Sequence, residues 1–267
     1  TSGGTFATAK TNLAAAFGPV TGLSATINFD DLLNLRTAPQ QVVTIGVINP
    51  GIAVLDGRIE YQLTGDQQVR IEGGRWPLAS GELKLHPATL NFGVEESRRL
   101  NFELVGIDAA HLMQSFDFEN LNVTGVFDGS LPVEFGGLGG RIVDGRIDSR
   151  EGGGTVAYVG ELSNRNLGMM ANFAFGALRA LKYSDLSVVL NGELDGEMVT
   201  DIRFGGVGQG EGTTQNFLTR QIARIPMIFN VKISAPFRSI FTTVRGLYDP
   251  AVQIEQNLPA LIRQQDE

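Results

Sequence analysis

The sequence of 267 residues contains no cysteine. Disulfide bonds, cysteine nucleophiles and thiolate metal ligands are therefore excluded. No apolar run approaches the ~18 residues that a membrane-spanning helix requires. The first ten residues, TSGGTFATAK, also lack the basic and apolar segments of a signal peptide. An exported protein with this sequence would be either a mature chain or a part of a longer one.

Cationic residues are in the minority, with 21 Lys and Arg against 29 Asp and Glu and a formal net charge of −8. This balance argues against a nucleic-acid-binding protein, because phosphates require a basic face. An anionic membrane surface is likewise disfavoured as an electrostatic partner. Apolar residues make up 42% of the chain, which is enough to form a buried core and argues against disorder.

Residues suited to catalysis or metal binding are sparse. His86 and His111 have no second ligand at metal-binding spacing, and the neighbouring pairs Asp30-Asp31 and Glu95-Glu96 do not converge in regular structure. The Gly-rich segment GGVGQGEG, residues 205–212, lacks the spacing and the lysine of a phosphate-binding loop. We therefore predict that the protein is not an enzyme and has no metal and no cofactor.

Strict alternation of apolar and polar residues is the main signal. In LNVTGVFDGSLPVEF, Leu121 to Phe135, every odd position is apolar or glycine and most even positions are polar. Such alternation places the two sets on opposite faces of a β-strand. The pattern predicts one strand of fifteen residues with a continuous apolar face.

The same alternation recurs along the chain and predicts a mainly β fold with a few helices. Asp-Gly pairs at Asp56-Gly57 and Asp144-Gly145 are typical of tight turns, whereas Asp128-Gly129 interrupts a run without a change of phase and indicates a bend or bulge. Helical spacing predicts a short helix after Asp108 as N-cap. Further helices are predicted over residues 7–17, 163–181, 213–225 and 236–248, with a weakly helical tail.

The apolar strand faces have two interpretations at this point. They could pack against the helices of an ordinary α+β domain. Alternatively, they could line a curved sheet that is open as a groove for an apolar ligand, since such sites are lined by aliphatic and aromatic side chains. Composition and periodicity do not distinguish these interpretations.

From residue 49 onward the segments INPGIAVLDGRIEYQL, RWPLASGELKLHPATLNFG, GIDAAHLMQSF, GVFDGSLPVEF, DGRIDSREGGGTVAY and ALKYSDLSVVLNGELDGEM follow one another. Their order and spacing resemble the C-terminal region of YdbH-like proteins, which belong to the AsmA-like group of bridge-like lipid transfer proteins in Gram-negative bacteria. The resemblance extends over Asp30 to Ile233. It implies a long, curved antiparallel sheet, shaped as a β-taco or groove and capped by C-terminal helices.

The resemblance also implies a function and a location. Phospholipid acyl chains would cross the periplasm in the hydrophobic groove, and the transfer would contribute to outer-membrane lipid homeostasis. The full-length protein would be anchored in the inner membrane by a segment that is absent here. A small outer-membrane lipoprotein of the YnbE type would pair with an edge strand by β-augmentation. The alternative is an envelope scaffold that acts by strand pairing without carrying lipid, and a third option is a closed β-domain that binds a dicarboxylate.

These expectations assign residues to two surfaces and two segments. We expect residues 1–160 to form a groove segment and residues 161–267 to continue the same sheet with added helices. The edge strand offered to the partner is predicted at Phe229, Val231 and Ile233. The groove lining is predicted to comprise Ile59, Tyr61, Leu63, Leu121, Val123, Phe127, Leu131, Val133, Phe135, Leu194, Met198, Ile202 and Phe204.

Overall fold

The computed structural model of the chain describes residues 2–15, 18–49, 53–115, 121–136, 139–158, 181–194, 196–209 and 227–236. The described part is mostly β-structure, with one short helix. The strands are β1 (Gly4–Ala15), β2 (Gly18–Asp31), β3 (Arg36–Thr37), β4 (Gln41–Ile48), β5 (Val54–Gly65), β6 (Gln68–Leu78), β7 (Gly81–Leu85), β8 (Ala88–Asn91), β9 (Arg98–Asp108), β10 (Leu121–Val123), β11 (Val126–Gly136), β12 (Gly139–Ser149), β13 (Gly154–Tyr158), β14 (Leu181–Tyr183), β15 (Asp185–Glu193), β16 (Glu197–Gln209) and β17 (Met227–Pro236), and helix α1 spans Ala109–Ser115.

The strands form a large antiparallel sheet in which most neighbours are consecutive in the chain. Hydrogen-bonded pairing runs β1–β2–β4–β5–β6–β7–β9 and then β9–β11–β12–β15–β16–β17. Strand β3 lies beside β2 and β5, and β8 continues the line of β7 along β6. The sheet confirms the predicted mainly β, antiparallel architecture.

A small second layer is formed by β10, β13 and β14. Strand β13 pairs with β10 on one side and with β14 on the other. Strand β14 in turn pairs with the last residues of β16, Gly208 and Gln209. The small layer is therefore connected to the large sheet where β16 bends beyond Phe204.

The prediction of one unbroken strand from Leu121 to Phe135 is wrong. The chain is divided at Thr124 and Gly125, so that β10 joins the small layer and β11 joins the large sheet. Gly125 has a φ of +123°, and a Cβ there would lie 2.6 Å from the Tyr183 hydroxyl. Glycine allows this change of direction without a change in the phase of the alternation, which is why the sequence pattern did not reveal the break.

The Asp-Gly pairs also differ in part from expectation. Asp56-Gly57 and Asp144-Gly145 lie inside β5 and β12 instead of in turns, and both aspartates have left-handed φ values, of 54° and 52°. Short polar Asp side chains tolerate this backbone region. The bulge expected at Asp128-Gly129 is confirmed by a register shift against β9.

Two helix predictions can be compared with the structure. Residues 7–17 were predicted to be helical because of their alanines, and this is wrong: β1 runs through Gly4–Ala15, with Phe6 opposite Ile27 and Leu13 opposite Val20. Pairing with β2 overrides the local propensity. The short helix is confirmed as α1, with the backbone N–H of His111 donating to Asp108 Oδ1 at 2.9 Å. The other predicted helices lie outside the described residues, apart from their ends.

Three hydrophobic clusters lie along one face of the sheet. The first surrounds Phe127 and Phe204, the second surrounds Trp76, and the third surrounds Met198. Leu83 packs against both the first and the second cluster, and Phe102 packs against both the second and the third. The clusters are therefore parts of one apolar face.

Trp76, the only tryptophan of the chain, is buried against a glycine on that face. A Cβ on Gly57 would overlap the indole ring, and the ring centroid of Phe102 lies 6.3 Å from that of Trp76. Glycine is needed at position 57 because the flat indole lies directly over the β5 backbone.

Gly57→Ala is therefore expected to displace the indole and to destabilise the fold. Overpacking of this kind typically costs about 1–3 kcal/mol. The urea midpoint should fall, and the emission of Trp76 should shift to the red. Gly136→Ala is the matched control, because the nearest atom to its added Cβ is Ser97 Oγ at 4.0 Å. Equal stability of the two variants would contradict the packing described here.

Ion pairs on the opposite, polar face hold neighbouring strands together. Asp128 accepts hydrogen bonds from the backbone N–H of Gly106 at 2.8 Å and from the guanidinium of Arg150 at 2.7 Å. Glu134 lies between Arg99 and Arg141. The hydrogen bond from Arg150 lowers the pKa of Asp128, and those from Arg99 and Arg141 lower the pKa of Glu134.

These ion pairs predict how the stability of the protein decreases at acidic pH. A carboxyl group with a lowered pKa in the folded state stabilises the protein fully above its unfolded pKa of 3.8, and this contribution is lost as the pH falls through the lowered value. The contribution of Asp128 to the urea midpoint should therefore be constant from about pH 7 to pH 5 and decrease below about pH 4. The urea midpoint of Asp128→Asn should decrease less steeply at acidic pH than that of the wild type. Superimposable pH profiles would show that Asp128 makes no such contribution.

Candidate functional site

A continuous row of apolar residues crosses the large sheet from β6 to β17. The register places these residues side by side in successive strands. Glycine takes the place of a large side chain only in β11. The row consists of Trp76, Leu83, Leu104, Gly129, Ile147, Val188, Ile202 and Val231.

The predicted lining residues fall into two groups by burial. One group is buried in the clusters and comprises Tyr61, Phe127, Val133, Leu194, Met198 and Phe204. The other group is only half-buried and comprises Ile59, Leu63, Val123, Leu131, Phe135 and Ile202. Backbone positions place Leu121 in the small layer, and its side chain lies outside the described set. A ligand on this face would touch the second group, since the first is already covered by protein.

The small layer and α1 cover one end of the apolar face. Val156 and Leu181 of the small layer join the cluster of Phe127 and Phe204, and Ala109 of α1 is buried with them. Tyr183 packs edge-on against Phe204 with ring centroids 6.1 Å apart. This end of the face is therefore closed by the protein itself.

The Tyr183 side chain adds a hydrogen bond to the backbone pairing that holds this cover. Its hydroxyl donates to the backbone carbonyl of Thr124 at 2.5 Å, in the segment between β10 and β11. Burial raises the pKa of Tyr183 to about 12. The hydroxyl donates to a backbone carbonyl and therefore has a structural role.

A half-buried band lies on the same face, and most of its members pack against the covered cluster. We define the open band as Leu83, Leu131, Ile147, Val188, Leu190 and Ile202, all of which are partly exposed. Gly145 lies beneath it, and a Cβ there would be 3.1 Å from Leu131 Cδ2 and 3.3 Å from Leu190 Cβ. The band therefore offers a strip of aliphatic side chains over a glycine floor, with no ion pair on it among the described residues.

Within the described part of the chain, strand β17 is the last strand of the large sheet. It pairs there with β16, with Phe229 opposite Phe204, Val231 opposite Ile202 and Ile233 opposite Thr200. Exposed Asn230, Lys232 and Ser234 occupy the alternate positions. The side chains of Phe229, Val231 and Ile233 lie outside the described set, so only their backbone positions bear on the predicted partner edge.

A cavity of about 670 Å³ lies at the polar face of β12, β15, β16 and β17. Its cations are Arg146, Arg203 and Lys232, and its carboxylates are Asp148, Asp185 and Asp201. Arg146 pairs with Asp148 at 2.7 Å and Lys232 with Asp201 at 3.9 Å. This balance of charges does not suit a dicarboxylate, which requires an excess of converging cations.

Side chains suited to metal binding or catalysis are also sparse elsewhere in the described ranges. The described ranges contain no group of three or more His, Asp or Glu residues that could hold a metal ion. His86 lies 3.0 Å from Glu103, and His111 Nδ1 lies 2.7 Å from the Ser80 hydroxyl, so both histidines have ordinary surface partners.

The residues that sequence reasoning missed belong to β6, β7, β9, β12 and β15. Alternation predicted strands at β7, β9, β12 and β15 but not at β6, and the place of each residue in the row depends on register. Trp76, Leu83, Leu104, Ile147 and Val188 come together only through pairing between strands. Alternation indicates which side chains share a face, and it does not indicate which strand lies alongside.

Comparison with known proteins adds the family. A protein-family model described as "YdbH-like: Intermembrane phospholipid transport protein YdbH" matches residues 1–259. No curated protein and no solved structure gave a match. Within the described residues, none of the helical structure is long and apolar enough to span a membrane. Because the family model covers nearly the whole sequence and the sheet carries the expected apolar face, the chain belongs to the YdbH-like family of intermembrane phospholipid transport proteins.

Proposed function

We propose that the open band carries phospholipid acyl chains across the periplasm, with the lipid lying lengthwise over successive strands. The observation that supports this is the unbroken apolar row from β6 to β17, which continues beyond the covered end. Buried residues such as Phe127 and Met198 hold the face in shape, and half-buried residues such as Leu131 and Ile202 touch the lipid. Outer-membrane lipid homeostasis is the role that this transfer would serve.

Transfer of this kind requires no bond to be made or broken. Burial of each methylene group contributes about 0.8 kcal/mol, so an acyl chain is held strongly without any specific hydrogen bond. Since neighbouring strands present similar aliphatic side chains, a chain can move along the band with little change in free energy. A lipid that moves in this way needs a donor and an acceptor membrane and no catalytic residue.

The first test is mass spectrometry of organic extracts from the purified, detergent-free protein. We expect phospholipid well above the amount retained by a periplasmic control protein of similar size. An empty extract from folded, monodisperse protein would contradict lipid carriage. It would favour the second candidate, an envelope scaffold that uses the same sheet only for strand pairing.

The outward edge of β17 is proposed as the site of a partner strand. A strand with unpaired backbone groups is a template for β-augmentation. Following the family resemblance, the partner would be a small outer-membrane lipoprotein of the YnbE type. An added strand would extend the apolar row beyond Val231 toward the outer membrane.

The absence of cysteine makes this partner site directly testable. Asn230→Cys and Ser234→Cys place a single thiol on β17, where the native residues are exposed. We expect both variants to cross-link to a lipoprotein that carries a single cysteine at successive positions of its pairing strand. The positions that react should recur every second residue, and their order should give the antiparallel or parallel register of the added strand. Thr5→Cys on β1, the first strand of the described sheet, is the matched control, because Thr5 is also exposed. Equal cross-linking from Thr5→Cys would contradict an assignment to β17.

A further inference from the structure

Exposed apolar side chains are concentrated on loops at one rim of the sheet. The loop between β2 and β3 carries Leu32, Leu33 and Leu35, of which Leu33 is 85% exposed. The segment after β8 carries an exposed phenylalanine and an exposed valine. We define the apolar rim as Leu32, Leu33, Leu35, Phe92 and Val94.

The two parts of the apolar rim lie on either side of one turn. The β5–β6 turn at Gly65–Gln68 touches the first loop, because a Cβ on Gly65 would be 3.1 Å from the Asn34 carbonyl. It also touches the second, because the backbone N–H of Phe92 donates to the Gln67 carbonyl at 2.9 Å. The two loops therefore lie together at one rim of the sheet, which holds five of the eight exposed large hydrophobic residues among those described; the other three are Phe6, Leu13 and Leu55.

The backbone of Leu35 provides an independent observation. Its φ of 49° lies in the left-handed region, where glycine and asparagine are favoured and leucine is rare. The Leu35 side chain is also 52% exposed, so packing does not explain its presence. A strained and exposed leucine at a loop tip indicates that the side chain has a use outside the folded core.

The apolar rim continues the apolar face. On β2 the packed residue Ile27 is followed at the next position of the same face by Phe29, just before the first loop. On β8 the packed residue Leu90 has the same parity as Phe92, two residues beyond it. An apolar path therefore leads from the packed face to the exposed side chains.

The second loop also carries a cation in contact with its aromatic ring. The guanidinium carbon of Arg98 lies 4.7 Å from the Phe92 ring centroid. Arg98 also donates to the Asn91 carbonyl at 3.0 Å and to the Val94 carbonyl at 3.3 Å. Arg98 thus shapes the loop that presents Phe92 and Val94, and it places a positive charge beside an exposed aromatic ring.

We propose that the apolar rim inserts into the surface of a zwitterionic phospholipid bilayer and that lipid passes there between the bilayer and the apolar face. This rests on the proposed lipid-transfer function. Flanking carboxylates at Asp31, Asp66, Glu95 and Glu96 would repel a strongly anionic surface. Insertion of the leucines requires no matching surface, because acyl chains are fluid.

The arrangement is less suited to a folded protein partner. A stable protein interface buries about 800 Å² on each side around a contiguous, well-packed core. Here the exposed apolar side chains are on separate loops, and the polar residues Asn34, Arg36 and Asp66 lie between them. Arg36 and Asp66 form an ion pair at 3.9 Å. Small apolar groups separated by charged residues can insert between lipid headgroups, but they do not form the contiguous apolar core of a protein–protein interface.

Vesicle flotation with the full chain tests this proposal. Wild-type protein should float with phosphatidylcholine–phosphatidylethanolamine vesicles, and binding should weaken as anionic lipid is added. Leu33→Asp and Phe92→Asp should weaken binding by about tenfold or more, since each loses the burial of a large apolar side chain. Leu55→Asp is the matched control, because Leu55 is 52% exposed on the opposite rim. It should float as the wild type does.

A second variant separates the role of the rim from effects on folding. Leu35→Asn should have an unchanged or higher melting temperature, because asparagine tolerates the left-handed backbone, and should still bind vesicles more weakly. Failure of the wild type to float, or an equal loss in Leu55→Asp, would overturn the proposal. Lipid content measured on the same preparations distinguishes the two ideas: lipid-loaded protein that does not float refutes rim insertion and leaves lipid carriage intact.

Discussion

Phe127→Asp is expected to unfold the protein. Phe127 is only 7% exposed and packs in the cluster that joins the large sheet to its cover. An unpaired carboxylate at this place costs several kcal/mol, which is a large part of the ~5–15 kcal/mol by which a domain is stable. The loss should be visible as a collapsed urea transition and as a change in far-UV circular dichroism.

The conservative change Phe127→Leu is the control for this prediction. It retains an apolar side chain and should keep a cooperative transition at a lower urea midpoint. If Phe127→Asp instead gave a folded protein with a normal transition, Phe127 would be accessible to solvent. The covered end would then have to be open in solution.

Leu131→Asp, only four residues along the same strand, is expected to leave the protein folded and to remove its lipid. Leu131 is half-buried, and it lies on the open band over Gly145 and opposite Phe102. A carboxylate here can reach water in the empty protein, but it would be buried once an acyl chain covered the band. We therefore expect retained phospholipid to fall by about tenfold or more, as measured by mass spectrometry of extracts.

Ser130→Asp provides the matched control for Leu131→Asp. Ser130 is the preceding residue of β11 and is exposed on the opposite, polar face. The same charge is added one position away, so a general effect on folding or net charge would appear in both variants. Lipid retention that is equal in the two variants, or unfolding of Leu131→Asp, would indicate that the apolar face is a closed core.

Local periodicity predicted many of the strands, including β5, β9, β11 and β12, and the face to which their side chains belong. Ile59, Tyr61 and Leu63 share the apolar side of β5 as expected, because the period of two is a local property of extended backbone. Periodicity does not report burial, however. Phe127 and Leu131 have the same parity in one strand, yet Phe127 is a buried member of the cluster that includes β13, β14 and α1, whereas Leu131 is only partly buried against it.

The errors arose where distant partners or glycine geometry decide the structure. The alanine-rich start favoured a helix, but pairing of Phe6 with Ile27 made it a strand. The break at Gly125 left the alternation in phase, so a change of layer had no signature in the sequence. Register joins residues such as Leu104 and Ile147 across the chain, and no local pattern encodes it.

The most direct test of lipid carriage uses Trp76 as a single internal fluorophore. Trp76 lies opposite Leu83 at the start of the apolar row, and no second tryptophan contributes to the emission. Protein loaded with phospholipid brominated in its acyl chains should show strongly quenched emission relative to protein loaded with the unbrominated lipid. Lipid brominated only in the headgroup should quench weakly. Emission that is identical with all three lipids, in protein that retains them, would contradict an acyl chain lying on the apolar face.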